Sequence, residues 1–537
     1  MTRRTNETTC VGLDDFGKGI VRIDGTTAFV DNLLPGEKAL VTTDFSYGKL
    51  YSAKVEERLT SSPDRVKPLC RYYPSCGGCQ IMHLSYEKQL EYKTKKVQDL
   101  LHKFAKLDID VKPCIGLADP TRFRNKVQKP VRWDMKHQKI KAGFYQSGTH
   151  NLIGIDDCLM ESELSNRISK TLVELLAQFR YTPYHEDSQI GEIRHLLIKT
   201  NSDQTEALVT LIVTTSKLYG IRDFAKALIR RVPEIVGVVL NINTRKTNVI
   251  LGPYNIPVYG RLRIADKIFD KTFLVSTNAF YQVNAKQVET LYQKAIEAAG
   301  LQKSDHLLDA YCGTGTIGLS CADKVAEVTG VELVADAVHD AILNAKINNV
   351  KNAHFLKADC TQYLASADKH FDVIIMDPPR KGSTPELIAA LKRIAPSRLV
   401  YVSCDPSTLA RDLSLLKDTY VIQSVQPVDM FPNSMHVETV CLLVLRNPVT
   451  HINIDVDVEE LVQDKRGQAT YDQIRDYVKE QTSLHVTNLN IAQTKWKFGI
   501  IERENYNLPK SEDSKQPNCT KEKEEAIKEA FKHFGLL

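Results

Sequence analysis

From about residue 266 to residue 447 the chain alternates short apolar runs with helical segments: DHLLDAYCG, VTGVEL, AHFLKADC, FDVIIMDPP, RLVYVSC, YVIQSVQPV and TVCLLVL. Apolar strands separated by helices of about 10–15 residues bury both faces only when the strands run side by side with helices above and below. The pattern therefore predicts a doubly wound α/β fold with a largely parallel, Rossmann-like sheet over 266–447. A chain of 537 residues is too long for that one fold, and the flanking segments read differently.

Residues 1–60 hold closely spaced β-segments with Gly and Pro-Gly turns, the pattern of a small OB-like barrel. SSPDRVKP then serves as a linker into a central α+β region, 61–265, with helices predicted at Tyr86–Phe104 and Glu161–Phe179. Residues 448–537 form a small helical extension. In it ATYDQIRDYVKEQT and TNLNIAQTKWKFG are short amphipathic helices, followed by the polar stretch NLPKSEDSKQPN and a charged terminal helix. A winged-helix-like nucleic-acid module and a plain helical appendage both fit that tail.

Composition narrows the class. Apolar residues make up 42% and charged residues 26%, and no stretch approaches the roughly 18–20 apolar residues of a membrane span. The arginines at the N-terminus have no apolar run behind them, so neither a secretory signal nor an anchor is expected, and the reading is cytoplasmic. Twelve cysteines in 537 residues are too few for a disulfide-stapled scaffold. Clustered thiols then point to metal or catalysis. The net charge of +5 is uneven: residues 61–150 carry 18 Lys and Arg against 8 Asp and Glu, a local +10. That imbalance suits a polyanion such as RNA, with a solvated lysine-rich face as the alternative.

In LLDAYCGTGTIGL a strand runs into Gly313, Gly315 and Gly318, whose missing side chains let backbone approach a ligand at a helix N-terminus. A dinucleotide fold shares this spacing. Two acidic residues favour S-adenosylmethionine, which carries a sulfonium cation and no phosphate. Asp309 sits inside the turn, and Glu332 ends the next strand, placed to accept ribose hydroxyls. The carboxyl ends of the following strands carry Asp359, Asp377 in DPPRKG and Cys404 in SCDP, so the three converge on one crevice. Asp-Pro-Pro also serves as a plain strand stop. Cys404 is the candidate nucleophile: Pro406 is a favoured first helical residue, and a helix N-terminus lowers a nearby thiol's pKa. In NSMHVETVCLLVL, Glu438 and His436 compete for the role of general base. A second cluster, Cys70, Cys76 and Cys79 in LCRYYPSCGGCQ, can wrap a metal centre whose fourth ligand is Cys158, Cys114 or His83, with iron–sulfur and zinc both possible.

Taken in order, CRYYPSCGGC, DDC, FRNK, FYQVN, DAYCGTGTIGL, DPPRKG, SCDP and HVE resemble the S-adenosylmethionine-dependent RNA 5-methyluridine methyltransferases over residues 1–447, and within them the bacterial 23S ribosomal RNA uracil-5 branch. The resemblance implies a class I methyltransferase domain, an N-terminal TRAM barrel and a [4Fe-4S] cluster on Cys70, Cys76, Cys79 and Cys158. It implies cofactor contacts from Gln282, Tyr311, Glu332 and Asp377, with Thr316 and Asp359 in the same crevice, Cys404 as nucleophile and Glu438 as base. The expected partner is 23S ribosomal RNA, with no membrane, no obligate protein partner and a monomeric chain. A transfer-RNA uridine methyltransferase and a non-catalytic RNA-binding assembly factor are the alternatives.

Overall fold

The computed structural model describes residues 5–47, 50–246, 249–446, 469–498, 500 and 519–537. The polar stretch NLPKSEDSKQPN lies outside them. The chain divides into two compact units, Met1–Pro448 and Val449–Leu537. Among the described residues no helix is long and apolar enough to cross a membrane.

The first unit begins with β1 (Thr5–Thr9), β2 (Gly12–Leu13), β3 (Gly19–Ile23), β4 (Thr26–Val30), β5 (Lys38–Tyr47) and β6 (Leu50–Arg58). They pair in the order β1-β5-β6-β4-β3-β2. Alternating residues such as Val21, Ile23, Ala28, Val30, Ala39 and Val41 point to one side and close a small separate core.

Next come α1 (Tyr86–Leu100), extended by one wider turn, Leu101–Ala105, then β7 (Lys126–Asp134), β8 (Lys139–Tyr145), β9 (Leu152–Gly154), α2 (Glu163–Gln178), β10 (Ile193–Thr200), β11 (Ala207–Val213), α3 (Ile221–Arg231), β12 (Ile235–Ile242) and β13 (Tyr254–Gly260). The strands form a seven-stranded sheet, β13-β12-β11-β10-β7-β8-β9, with α2 and α3 packed on one face. Ser162 starts α2 two residues later than the sequence predicts, because its hydroxyl accepts the Ser165 N–H and caps the helix there.

The catalytic-type layer follows: β14 (Arg263–Ile268), β15 (Lys271–Ser276), α4 (Val288–Ala299), β16 (His306–Ala310), α5 (Thr316–Cys321), β17 (Glu327–Glu332), α6 (Ala335–Ile347), β18 (Ala353–Lys357), α7 (Cys360–Ser366), β19 (Val373–Met376), α8 (Pro385–Ile394), β20 (Arg398–Ser403), α9 (Pro406–Leu416), β21 (Tyr420–Val428) and β22 (Glu438–Leu445). Its sheet order is β18-β17-β16-β19-β20-β22-β21. Neighbouring strands from β16 to β20 run parallel, whereas β22 is antiparallel to both β20 and β21. One face is covered by α4, α5, α6 and the β14–β15 hairpin, the other by α7, α8, α9 and Val97 and Leu101 from the α1 segment. This is the doubly wound α/β architecture that the sequence pattern predicts.

Two boundaries differ from the sequence reading. The cut at 265/266 falls inside the β14–β15 hairpin, whose Ile264, Ile268, Phe273 and Val275 bury against the catalytic layer. Residues 97–114, read as central, also join that layer, with Val111 bridging Val425 in parallel. Apolar surface in a connecting segment goes wherever a core accepts it, which period and spacing do not report.

In the second unit α10 (Tyr471–Thr482), α11 (Asn488–Lys497) and α12 (Lys521–His533) enclose Ile474, Val478, Ile491, Ile527 and Phe531. Capping boxes at Thr470 with Gln473 and at Thr487 with Asn490 start the first two helices.

Candidate active site and cysteine cavity

The chain leaves β16 through a sharp turn into α5. Tyr311, Gly313 and Gly315 all have positive φ, at 65°, 55° and 78°. Glycine takes that conformation freely and tyrosine does not. Strain of this kind concentrates at ligand sites. Gly318 comes so close to β16 that a Cβ there would sit 2.8 Å from Asp309 Oδ2, and its N–H donates to that oxygen at 2.7 Å. Burial, with Asp377 and Glu332 nearby, raises Asp309 to about 7.

The remaining candidates ring this turn. Glu332 ends β17, its Oε2 accepting the Gly313 N–H at 3.2 Å and its Oε1 the Val334 N–H at 2.7 Å. Thr316, the first residue of α5, has its hydroxyl 3.0 Å from the Tyr292 hydroxyl. Asp359, just past β18, caps α7 through the Gln362 N–H at 3.0 Å. Asp377 follows β19 and accepts from Gln282 Nε2 at 3.4 Å; burial raises it too to about 7.

Cys404 follows β20. Because β22 runs antiparallel to β20, with Thr439 opposite Ser403, Glu438 opens β22 at the edge where Cys404 leaves its strand. Glu438 is 4% exposed, and its Oε2 has no hydrogen-bond partner. Burial and Asp377 lift its pKa well above the carboxylate range. The Cys404 thiol is pushed up to about 12 by burial, then by Glu438 and Asp377, against an opposing pull from Arg380. This corrects the expectation of a thiol lowered by a helix N-terminus. Pro406 does open α9, but the Asp405 carboxylate occupies that terminus, accepting from Ser407 N–H at 2.9 Å and Thr408 N–H at 3.3 Å.

Of the two candidate bases, Glu438 bears on the thiol. His436 lies against Arg380 instead, 3.4 Å from Nη2 through its Nε2. Burial, Arg380, Lys96 and Lys93 push its pKa down to about 4.

The four predicted cysteine ligands line one cavity of about 320 Å³. Cys114 is buried elsewhere, in the core of the catalytic layer, and His83 Nδ1 engages the Tyr73 hydroxyl. Cys158 is therefore the fourth thiol at the cavity. Burial raises Cys79, and Cys158, Cys76 and Cys70 raise it further, so the four thiols sense one another. Among the described residues no group of three or more His, Cys, Asp or Glu side chains is arranged to hold a metal ion. None of the twelve cysteines is in a disulfide. The same cavity is walled by Arg380, Phe431 and His436.

Residues 85–446 match the sequence profile of the tRNA (uracil-5-)-methyltransferases. The chain belongs to this family. An uncharacterized RNA methyltransferase of Caldanaerobacter subterraneus subsp. tengcongensis is 42% identical over 434 residues, 80% of this chain and 95% of the relative. One from Clostridium tetani is 38% identical over 441 residues, 80% of this chain and 94% of the relative. Among solved structures, a Pyrococcus abyssi tRNA (uracil-54, C5)-methyltransferase in complex with S-adenosyl-L-homocysteine superposes with a TM-score of 0.67 at 27% identity, covering 82% of this chain and 99% of that one. The methyltransferase thus has the class I α/β fold.

Two supports of the methyltransferase crevice escape sequence reasoning. Arg380 stands in the DPPRKG motif and was legible as a charge, but its place beside both Cys404 and His436 depends on the loop's path. Asp412 on α9 holds that loop: its Oδ2 accepts from Ser383 N–H at 2.7 Å and the Tyr401 hydroxyl at 2.7 Å, while Arg411 Nη2 donates to Lys381 O and Ser383 O. No sequence signal links residues 381–383 to 411–412.

Proposed function

We propose that the protein transfers a methyl group from S-adenosylmethionine to carbon 5 of uridine in 23S ribosomal RNA, through a covalent adduct on Cys404. The observation that carries the reading is the strand-edge pairing of Cys404 with Glu438, with Asp377 and Arg380 beside them. Carbon 5 of uracil is too weak a nucleophile unaided. Cys404, as thiolate, adds to carbon 6 of the ring, which makes carbon 5 nucleophilic. S-adenosylmethionine supplies an electrophilic methyl on a sulfonium. Carbon 5 takes that methyl as the methyl–sulfur bond breaks and neutral S-adenosylhomocysteine leaves; Glu438, as carboxylate, then takes the carbon-5 proton, and elimination restores the double bond and releases the Cys404 thiolate. Arg380 favours the thiolate by its charge. Gln282, Tyr311, Thr316, Glu332, Asp359 and Asp377 hold the cofactor. A crevice with Asp309, Glu332, Asp377 and Glu438 suits a cation and opposes a pyrophosphate. The target base is flipped from its stack to enter.

The cysteine cavity supports a [4Fe-4S] cluster on Cys70, Cys76, Cys79 and Cys158. What supports the reading is that the four thiols line one cavity of about 320 Å³. Bound there, the cluster supplies iron–thiolate bonds that tie segment 70–79 to Cys158. The N-terminal sheet and the basic 61–150 block hold the RNA backbone.

A transfer-RNA target is the second reading. The Pyrococcus abyssi structure matches 82% of this chain, more than residues 85–446 alone, so the 84 residues before that match do not by themselves exclude a tRNA substrate. Methyl-labelled S-adenosylmethionine, incubated separately with unmodified ribosomal and transfer RNA and followed by nucleoside analysis, decides between them. Label in 5-methyluridine from ribosomal RNA alone is expected. Label from transfer RNA alone overturns the substrate, and no label from either overturns the activity.

A further inference from the structure

The central sheet carries a second cavity, of about 470 Å³, lined by residues other than those of the crevice and the cysteine cavity, although the Tyr145 carbonyl accepts the Gly77 N–H of the cysteine loop at 3.1 Å. Its walls include Tyr145, His150, Tyr184, Glu186, Arg194 and His195. The helices α2 and α3 cover one face of this sheet. On β10, His195 and Lys199 share the opposite face, since side chains alternate along a strand. Lys199 Nζ donates to Ser276 O at 2.6 Å and Ala279 O at 2.8 Å, in the segment that leads to Gln282. Four residues along β10, about 13 Å, separate that anchor from His195. Near the anchor stands Phe280, 58% exposed, with Lys126 Nζ 5.9 Å from its ring centroid.

The lining of the cavity combines aromatic rings with two cations, Arg194 and Lys246. Arg194 Cζ lies 5.0 Å over the Tyr184 ring. His150 meets Tyr145 edge-on at 6.3 Å. Arg132 donates to the Tyr145 hydroxyl at 2.8 Å and to Glu186 at 2.6 Å, so its charge is already answered. Two buried polar atoms have no partner, His195 Nδ1 and Arg194 Nε, although Arg194 is only 5% exposed. Burial, Arg132 and Arg194 lower His195 to about 3, so its ring is neutral near pH 7 and offers both a donor and an acceptor. Orphaned polar atoms in a native fold call for a partner. Aromatic rings with unspent hydrogen-bonding atoms suit the flat face and polar edge of a nucleobase, and the exposed Lys246 in the same lining suits the phosphate that accompanies it.

We propose that this cavity receives a second unstacked base of the RNA strand whose target uridine enters the crevice. The inference rests on the RNA reading above and deepens it. The strand runs past Phe280 and Lys126, and the cavity holds a nucleotide a few positions from the target. Substrate choice is then set by two bases and their spacing.

The test uses the full-length protein and a 4-thiouridine-substituted transcript of 23S ribosomal RNA, with transfer RNA transcript in parallel. Equilibrium binding, photo-crosslinking and methyl transfer are measured for wild type, Tyr145→Leu and Tyr145→Phe. Stacking energies of the usual size predict at least about a fivefold loss of RNA affinity in Tyr145→Leu, unchanged S-adenosylmethionine affinity, and recovery in Tyr145→Phe. Crosslinked peptides from residues 145–150 or 184–195 are expected. Unchanged RNA affinity in Tyr145→Leu overturns the proposal, as does the absence of any crosslink there in wild type, a readout that does not depend on whether the Tyr145→Leu variant folds. RNA bound and crosslinked at this cavity without methyl transfer by wild type sustains the pocket and overturns the methyltransferase activity instead.

Discussion

Cys404 and Glu438 are poised as neutral partners rather than as a preformed ion pair. The thiol is held up to about 12 and the carboxyl well above its usual range by burial and by Asp377. A ligand that brings positive charge into this crevice reverses that penalty, so under the proposed function ionisation of Cys404 and Glu438 is tied to cofactor binding. Asp309 and Asp377, each raised to about 7, make the effect measurable. A carboxyl whose pKa is higher folded than unfolded keeps its proton in the folded state, and the stability it contributes is full below the unfolded value near 4 and lost as pH rises to about 7. The ligand-free protein is therefore expected to lose stability between pH 4 and 7 from these groups. A cation selects their ionised forms, so S-adenosylmethionine affinity is expected to rise between pH 6 and 8, and more steeply than that of S-adenosylhomocysteine, whose sulfur is neutral. Parallel slopes in calorimetry would remove the carboxyl cluster from cofactor selection. Cys404→Ala is expected to keep cofactor affinity within about twofold and abolish transfer, and Glu438→Gln to accumulate a protein–RNA adduct on denaturing gels. Product from Cys404→Ala, or normal turnover without adduct in Glu438→Gln, would each displace the residue from its role.

The α1 helix fixes the approach to β22. Lys93 Nζ lies 2.6 Å from Asp429 Oδ1, with the two side chains 1% and 0% exposed, and also donates to Phe431 O at 3.0 Å. The Tyr86 hydroxyl donates to Asp429 Oδ2 at 2.9 Å. Gln89 closes a reciprocal pair with Asn433, its Oε1 accepting the Asn433 N–H at 2.9 Å and its Nε2 donating to Asn433 Oδ1 at 3.3 Å. These contacts span more than 330 residues of chain and hold the loop that delivers His436 and Glu438. Lys93→Met leaves Asp429 buried without its counter-charge and is expected to cost about 3–5 kcal/mol in urea unfolding. Adding Asp429→Leu should return much of the loss, and a double variant as unstable as the single one would mean that packing, not charge, is the source. Such long-range pairs explain what the sequence could not convey. The strands, the Gly313–Gly318 turn and the strand-end positions of Glu332, Asp377 and Cys404 were legible because period and turn chemistry are local. Asp405's neutralising cap, Asp412's grip on the DPPRKG loop and the rank of Glu438 over His436 depend on which surfaces meet.

In the first unit the catalytic layer, the central sheet and the cysteine loop share walls. Arg380, Phe431 and His436 border the cavity that Cys70, Cys76, Cys79 and Cys158 line, so a cluster bound there would tie segment 70–79 to Cys158 against that wall. Protein purified without oxygen is expected to contain about four irons per chain and to unfold at a lower temperature after chelation. Stoichiometric zinc, or a thermal midpoint indifferent to iron removal, would end that assignment. Cys70, Cys76 and Cys79 were readable from spacing and Cys158 only from the family resemblance; the shared wall was readable from neither, because it depends on contacts such as those of the Gln80 and Ile81 N–H groups with Asn433 O, more than 350 residues away.

The reversed direction of β22 carries a consequence for how the enzyme can change. Five parallel strands offer only their ends to the crevice, and a strand laid against them backwards offers its beginning. Cys404 and Glu438 are thereby locked in phase by the hydrogen-bond ladder between Ser403 and Thr439, across a gap of more than thirty residues. A single inserted or deleted residue at the head of β22 turns Glu438 to the opposite side of the sheet. Loops in this chain are free to lengthen and drift, but these two side chains can vary only in step, like adjacent teeth on one gear.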